Sequence, residues 1–191
     1  MKIPYDKQDV LETVCSIVAE VVGCDRDEVQ WDSKLGDDLD ADSLSFVEIV
    51  YSLEKRFGIN LPKKSIIDHA AEQTGSEELF ITPSGQVTEK GIFLLEKSFF
   101  NFQPGALKPG MKRYDLMGMT TPENWASSCY HMLQQLPHVC PDCGHDTAAA
   151  SPNHTMFCAS CGSALKPREG DAVLADFVRV LIDDIDELAA A

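Results

Sequence analysis

Asp42-Ser43-Leu44 stands between an acidic loop, Gly36-Asp37-Asp38-Leu39-Asp40-Ala41, and an amphipathic stretch running to Phe57. A serine hydroxyl attacks poorly without a base beside it, and no histidine lies near Ser43 in sequence. The Gly-x-Ser-x-Gly elbow of a hydrolytic serine is missing as well. The placement therefore suits a serine that receives a group rather than one that attacks. Asp38, Asp40 and Asp42 imitate positions 1, 3 and 5 of a calcium loop, which then needs glycine at position 6 and glutamate at position 12. Ser43 and Ile49 stand there instead, so calcium is excluded. Asp42 is well suited to cap a helix, accepting from the first-turn N–H groups and fixing Ser43 at the exposed helix start.

The second chemical signal is Cys140-Pro141-Asp142-Cys143-Gly144 followed by Cys158-Ala159-Ser160-Cys161-Gly162. Four thiolates in two Cys-x-x-Cys-Gly knuckles can close a tetrahedron around Zn²⁺, and residues 144–157 are enough for a small β-hairpin. The glycine after each pair lets the backbone turn its N–H groups toward sulfur. The pattern resembles a zinc ribbon. A redox Cys-x-x-Cys pair would need a βαβ context that is missing. Iron in tetrahedral sulfur stays open. A catalytic zinc keeps an open position, and four cysteines leave none. His145 and His154 are alternative ligands that a full cysteine set makes unnecessary. The expectation is a structural zinc at Cys140, Cys143, Cys158 and Cys161.

Helices must position these groups. Val10, Leu11, Val14, Ile17, Val18, Val21 and Val22 recur at helical spacing, and Gly23 ends the run. In the helix from Ser43 to Phe57, periodicity directs Leu44, Val47, Tyr51 and residues 53–57 toward a core, leaving Glu48 and Glu54 for solvent or partners. Leu61-Pro62 opens a less regular stretch. Thr88 to Phe100 reads as a capped helix of heavy apolar content, and Phe80, Ile81, Phe93, Phe99, Phe100 and Phe102 concentrate aromatic and apolar bulk around it. Such residues are core, or else they cover a pocket for a bound acyl chain. Thr121 and Pro122 mark another helix start, with Trp125, Cys129, Met132 and Leu136 on one face. Cys15 and Cys129 read as buried apolar residues. Asp171 to Leu188 forms an acidic amphipathic helix with the stripe Leu174, Phe177, Val178, Leu181, Ile185 and Leu188. Asp183, Asp184, Asp186 and Glu187 sit unfavourably near its C-terminus, so packing must hold it: on the body of the protein, on a second copy, or on a partner.

The motif Asp42-Ser43-Leu44 with its flanks, the apolar helix Val10 to Val22, the segment Val29-Gln30-Trp31-Asp32-Ser33-Lys34-Leu35 and the closing Phe57-Gly58-Ile59-Asn60-Leu61-Pro62, resembles the acyl carrier protein family. That resemblance implies a helical bundle in which Ser43 bears a 4'-phosphopantetheine arm and Asp42 assists the modifying transferase. Leu44, Val47 and Glu48 would then form the partner-facing side of the second helix, so the resemblance and the periodicity disagree on Leu44 and Val47. The family commonly has glycine where this chain has Asp40; aspartate tolerates left-handed backbone better than most residues. Thr120-Thr121 before an amphipathic helix is similar to the start of the last carrier helix, so residues from about 66 to 118 read as an insertion. The expected architecture is mainly α: residues 1–137 an acyl-carrier-like helical bundle with an inserted helical segment, 138–168 a zinc-ribbon β-hairpin module, and 169–191 a C-terminal amphipathic helix.

Thirty-one acidic against 16 basic residues give a net charge of −15 over 191 residues. That balance opposes nucleic acid and anionic membranes and favours basic protein partners. No stretch has the length of an apolar membrane span, no secretory h-region opens the chain, and seven cysteines, an odd number, suit a reducing cytoplasm. The expected protein is a specialised, non-enzymatic acyl carrier. It would hold acyl or aminoacyl groups as thioesters, with a phosphopantetheinyl transferase and acyl-loading and acyl-processing enzymes bearing basic docking patches as partners. The alternative is an unmodified carrier-like scaffold whose ribbon binds other proteins. The ribbon's fold is expected to depend on its metal, while the carrier core stays separate and survives metal loss.

Overall fold

Asp6 accepts from the N–H of Asp9, and Asp9 reaches back to the N–H of Asp6, so a capping box starts α1 (Lys7–Val22). Gly23, at φ +76°, closes it. The computed structural model of the protein describes residues 1–151 and 155–188, with the backbone alone for 183–188. A short 3₁₀ turn, Arg26–Glu28, precedes α2 (Ser43–Phe57), α3 (Ile66–Thr74), α4 (Glu89–Lys97), α5 (Asp115–Gly118) and α6 (Pro122–Leu133). Then come β1 (Ala148–Ala150), antiparallel to β2 (Met156–Cys158), and α7 (Gly170–Leu188). The chain is mainly helical with one small hairpin, as its patterning predicts.

Two cores organise these elements. In the first, Val10, Val14 and Val18 of α1, Ile49, Leu53 and Phe57 of α2, and Trp125, Cys129, Met132 and Leu133 of α6 pack together. Thus α6 returns to α1 and α2 although more than sixty residues separate it from α2. In the second, Ile66, Ile67 and Ala70 of α3, Leu94 and Leu95 of α4, and Leu174, Val178 and Leu181 of α7 pack with Phe80 and Val87. Cys15 and Cys129 are buried, as expected of small apolar residues, and burial pushes the Cys129 thiol up.

Several expectations need correction. Leu44, Val47 and Tyr51 are 70%, 65% and 63% exposed, while Ile49, Leu53 and Phe57 are buried. Helix α2 carries two apolar stripes, one at 44, 47 and 51 and one at 49, 53 and 57. At about 100° per residue they lie on different faces, and periodicity alone cannot say which faces the core. Glu54 is not left for solvent; its carboxylate accepts from the N–H of Leu61 at 2.8 Å. The stretch after Pro62 is regular: Ser65 and Asp68, three residues apart, form a capping box that starts α3. Helix α4 stops at Lys97, so Phe99 and Phe100 lie beyond it.

The ribbon is not independent of the helices. Cys140, Ala148, Met156, Cys158 and Leu165 belong to the first core. The N–H of Lys2 donates to Asp146 at 2.7 Å, and the N–H of Ala148 to Lys2 at 2.9 Å. The core expected to stay separate is therefore shared. Helix α7 lies on α3 and α4 through Leu174, Val178 and Leu181, with Phe177 half-buried. The side chains of Ile185, Leu188, Asp183, Asp184, Asp186 and Glu187 lie outside the described residues, as does His154.

Candidate attachment serine and metal centre

Ser43 is the first residue of α2 and is exposed. Asp42 caps the helix: its Oδ1 accepts from the N–H of Ser45 at 2.8 Å and from the Ser45 hydroxyl at 2.9 Å. The Ser45 N–H and hydroxyl hold the exposed Asp42 carboxyl below the usual carboxylate range. Asp42 therefore stays an anion beside Ser43, at the positive end of a helix. Leu44, Val47 and Glu48 follow on the exposed surface of α2.

The loop ahead of the serine is held from inside. Leu35 is fully buried, and its carbonyl accepts from Ala41 at 2.8 Å, closing the turn around Asp37–Asp40. The N–H of Lys34 donates to the Asp38 carboxylate at 2.7 Å. Asp40 adopts φ +53°, the left-handed conformation that glycine would take without steric cost.

In the ribbon, the sulfur atoms of Cys140, Cys143, Cys158 and Cys161 all lie within 4.8 Å of one another. Cys140 and Cys161 are 3.6 Å apart, as are Cys143 and Cys158. A tetrahedral Zn²⁺ with Zn–S near 2.3 Å requires sulfurs about 3.8 Å apart. Two sulfur pairs match that spacing closely, and the whole cluster is compact enough to close around such an ion. Both knuckles share one backbone pattern: Gly144 donates to Cys140 and Gly162 to Cys158, each at 2.9 Å and each with left-handed glycine. The Ser163 hydroxyl, 3.1 Å from the Cys161 sulfur, and its N–H draw that thiol down. The His145 backbone would lower the Cys143 thiol too, but the neighbouring sulfurs of Cys161, Cys158 and Cys140 outweigh it and push that thiol up. The four sulfurs thus share protons that a metal would displace. His145 contributes its backbone carbonyl, which accepts from Cys140 at 2.7 Å, and its ring is not part of the sulfur cluster. A bound ion would cross-link the two knuckles, and four sulfur ligands would leave it no open position for catalysis.

The aromatic residues ahead of α6 serve mainly as packing. Phe80 is fully buried, Phe100 meets Trp125 edge-on with ring centroids 5.1 Å apart, and Phe99 stacks on His131 at 4.4 Å. Phe99 also lines an open groove with Leu11, Tyr130 and His131. No helix among the described residues is long and apolar enough to cross a membrane.

A capped serine at an exposed helix start, on a bundle with a closed apolar core, is compatible with the carrier-type domain that the motif resembles. Comparison with known proteins agrees: the family described as phosphopantetheine attachment site matches residues 12–71. The chain is 44% identical over 66 residues to an acyl carrier protein of Prochlorococcus marinus (strain MIT 9515), covering 35% of this chain and 76% of that protein. It is 40% identical over 68 residues to an acyl carrier protein of Guillardia theta, covering 36% of this chain and 78% of the relative. No solved structure matches. The chain belongs to the acyl carrier protein family.

Proposed function

We propose that this protein carries acyl or aminoacyl intermediates as thioesters on a 4'-phosphopantetheine arm attached to Ser43. The observation that carries this reading is the position of Ser43, exposed at the first turn of α2 beside an ionised Asp42. Asp42 assists the transferase that delivers the arm from coenzyme A, and Leu44 lies against that enzyme. Val47 and Glu48 form the face that acyl-loading and acyl-processing enzymes meet. The exposed apolar stripe and the acidic loop favour partners with a basic rim around an apolar patch. The protein itself contributes tether, orientation and recognition, while the arm's thiol supplies the reactive group. Cys140, Cys143, Cys158 and Cys161 hold a structural Zn²⁺, and the ribbon selects among partners in the cytoplasm.

Residues from about 66 to 118 are then an insertion within the carrier bundle, residues 138–168 the ribbon and 169–191 the terminal helix. Support comes from the return of α6 to α1 and α2.

The test is direct. Incubated with coenzyme A and a phosphopantetheinyl transferase, the wild type gains one arm by intact mass, and Ser43→Ala gains none while its stability changes by less than about 0.5 kcal/mol. An arm on the Ala variant, or on a different serine of the wild type, overturns the assignment.

A further inference from the structure

The attachment loop is strapped to a segment far away in sequence. The N–H of Leu35 donates to the carbonyl of Thr120 at 2.9 Å, and the N–H of Gly36 to the carbonyl of Gly118 at 2.8 Å. A third bond, from the N–H of Glu123 to Trp31 at 3.0 Å, ties the start of α6 to the same loop. The strap is itself fixed. Thr120 is 2% exposed, its hydroxyl donates to Met117 at 2.7 Å, and the indole N–H of Trp125 donates to that hydroxyl at 3.0 Å.

The two glycines meet asymmetrically. A Cβ placed on Gly36 would lie 2.7 Å from the Cα of Gly118 and 3.2 Å from its carbonyl oxygen, both backbone atoms that cannot swing aside. A Cβ placed on Gly118 would lie 3.6 Å from the Cα of Gly36, an ordinary contact. Neither glycine has positive φ, so what this site requires is closeness and not an unusual backbone angle.

We infer that the 118–120 segment acts as a template for the attachment loop, and that Gly36 is a positioning residue setting how efficiently Ser43 is presented for modification. The link from Gly36 to Ser43 is short and rigid. Leu35 is buried, its carbonyl receives the Ala41 N–H, and Ala41 is followed at once by the Asp42 cap and Ser43. Moving residues 35 and 36 off the strap moves the whole 35–42 turn, because both of its ends are anchored at Leu35. Helix α2 keeps its own cap and its own buried face at Ile49, Leu53 and Phe57, so the bundle persists while the loop shifts. A transferase that must place one hydroxyl oxygen in line with a phosphorus atom is sensitive to such displacement, since misplacement by about 1 Å costs on the order of 100-fold in rate. The strap also makes the segment leading out of α5 part of the attachment apparatus, though it contributes no side chain to Ser43.

This inference rests on the reading of Ser43 as the attachment site. It is tested with full-length wild type, Gly118→Ala, Gly118→Val and Gly36→Ala, using coenzyme A and a phosphopantetheinyl transferase. The rate of arm addition is followed by intact mass, and amide exchange is followed over residues 35–42. Gly118→Ala should match the wild type within about twofold. Gly118→Val, whose Cβ has room but whose γ-carbons press on Gly36, should be slower, and Gly36→Ala slowest, with kcat/KM down on the order of 10- to 100-fold. Modification should still run to completion on Ser43 in each variant, with faster exchange at residues 35–42 and unchanged protection in α1 and α6. Should Gly36→Ala fail to fold, the two Gly118 variants carry the comparison. Wild-type rates in both Gly118→Val and Gly36→Ala sink the positioning role alone. A Gly118→Ala variant slowed as much as Gly36→Ala contradicts the steric asymmetry and overturns it as well. A wild type that takes no arm brings down the attachment reading and this inference together.

Discussion

Asp40 shows how one residue accommodates a geometry usually left to glycine. Its φ of +53° lets Ala41 turn back to Leu35 and brings Asp42 to the helix start. Aspartate tolerates this region because its short polar side chain bonds locally, whereas a β-branched residue meets the following carbonyl. Asp40→Val should therefore lose about 1–2 kcal/mol, while Asp40→Gly should change stability by less than about 1 kcal/mol, relief of strain being offset by a more flexible unfolded chain. Urea midpoints of the two variants make the comparison. A valine tolerated as well as glycine would mean that the loop is held so loosely that φ at residue 40 does not matter.

Among the elements, α7 is held at its N-terminal end by a set of polar contacts that the sequence does not advertise. Asp171 accepts from the N–H groups of Lys63 and Lys64, both at 3.0 Å, and faces Nε2 of His69 at 3.2 Å. Asn60 donates to the Glu169 carboxylate at 3.0 Å. Gly170 lies so close to the chain at residues 60–62 that an added Cβ would be 2.4 Å from the nitrogen of Pro62. Burial alone would raise the Asp171 carboxyl, but the Lys64 N–H, the His69 ring and the Lys63 N–H outweigh it and hold the group below its ordinary range. The folded state therefore binds fewer protons here than the unfolded chain, whose aspartate titrates near 3.9. The contribution is fully present above about pH 4 and is lost as pH falls through the lower, folded value. Amide protection in α7, measured relative to the intrinsic exchange rate at each pH, should fall as the pH is lowered from 5 to 3. Asp171→Ala should show faster exchange throughout and a weaker pH response. An identical pH response in that variant would assign the acid sensitivity to other carboxylates, such as Asp68 beside Arg113.

Taken whole, the molecule joins its four-cysteine cluster to its helical core. Cys158 is fully buried among core residues, and Met156 beside it is 1% exposed. Lys2 bridges to Thr147 and accepts from the N–H of Ala148 at the start of β1, so the N-terminal segment leading to α1 is tied to the hairpin. A hairpin of three-residue strands has little stability of its own, and in such modules metal affinity and folding are one free energy. Chelation, or Cys158→Ser, should therefore release one divalent ion per chain and lower the melting of α1, α2 and α6 together with the ribbon, in a single transition. Loss of metal with unchanged exchange protection in those helices would show that the shared core does not couple them. Retention of stoichiometric metal in Cys158→Ser would contradict the four-cysteine site. The same contacts bear on truncation. A chain cut at residue 137, where the carrier-like bundle is expected to end, would lack Cys140, Ala148 and Met156 from the first core and all of α7 from the second.

What the sequence determined by itself were the local signals: the capped Ser43, the two cysteine knuckles, the apolar run of α1 with its terminating Gly23, and Thr121-Pro122 opening α6. Each is a short-range pattern whose physical cause lies within a few residues, so it can be read without knowing the fold. Position 40, where the family usually has glycine, was legible for the same reason. Periodicity alone did not give the outward face of α2, although the resemblance placed Leu44 and Val47 there: two apolar stripes on one helix satisfy the same periodicity, and only the presence of α1 and α6 on one side selects Ile49, Leu53 and Phe57 as core. The seating of α7 on α3 and α4, the merging of the ribbon with the first core and the meeting of Gly36 with Gly118 were decided by tertiary structure alone. They join residues tens of positions apart through backbone approach and shared burial, and such contacts leave no periodic mark in the chain.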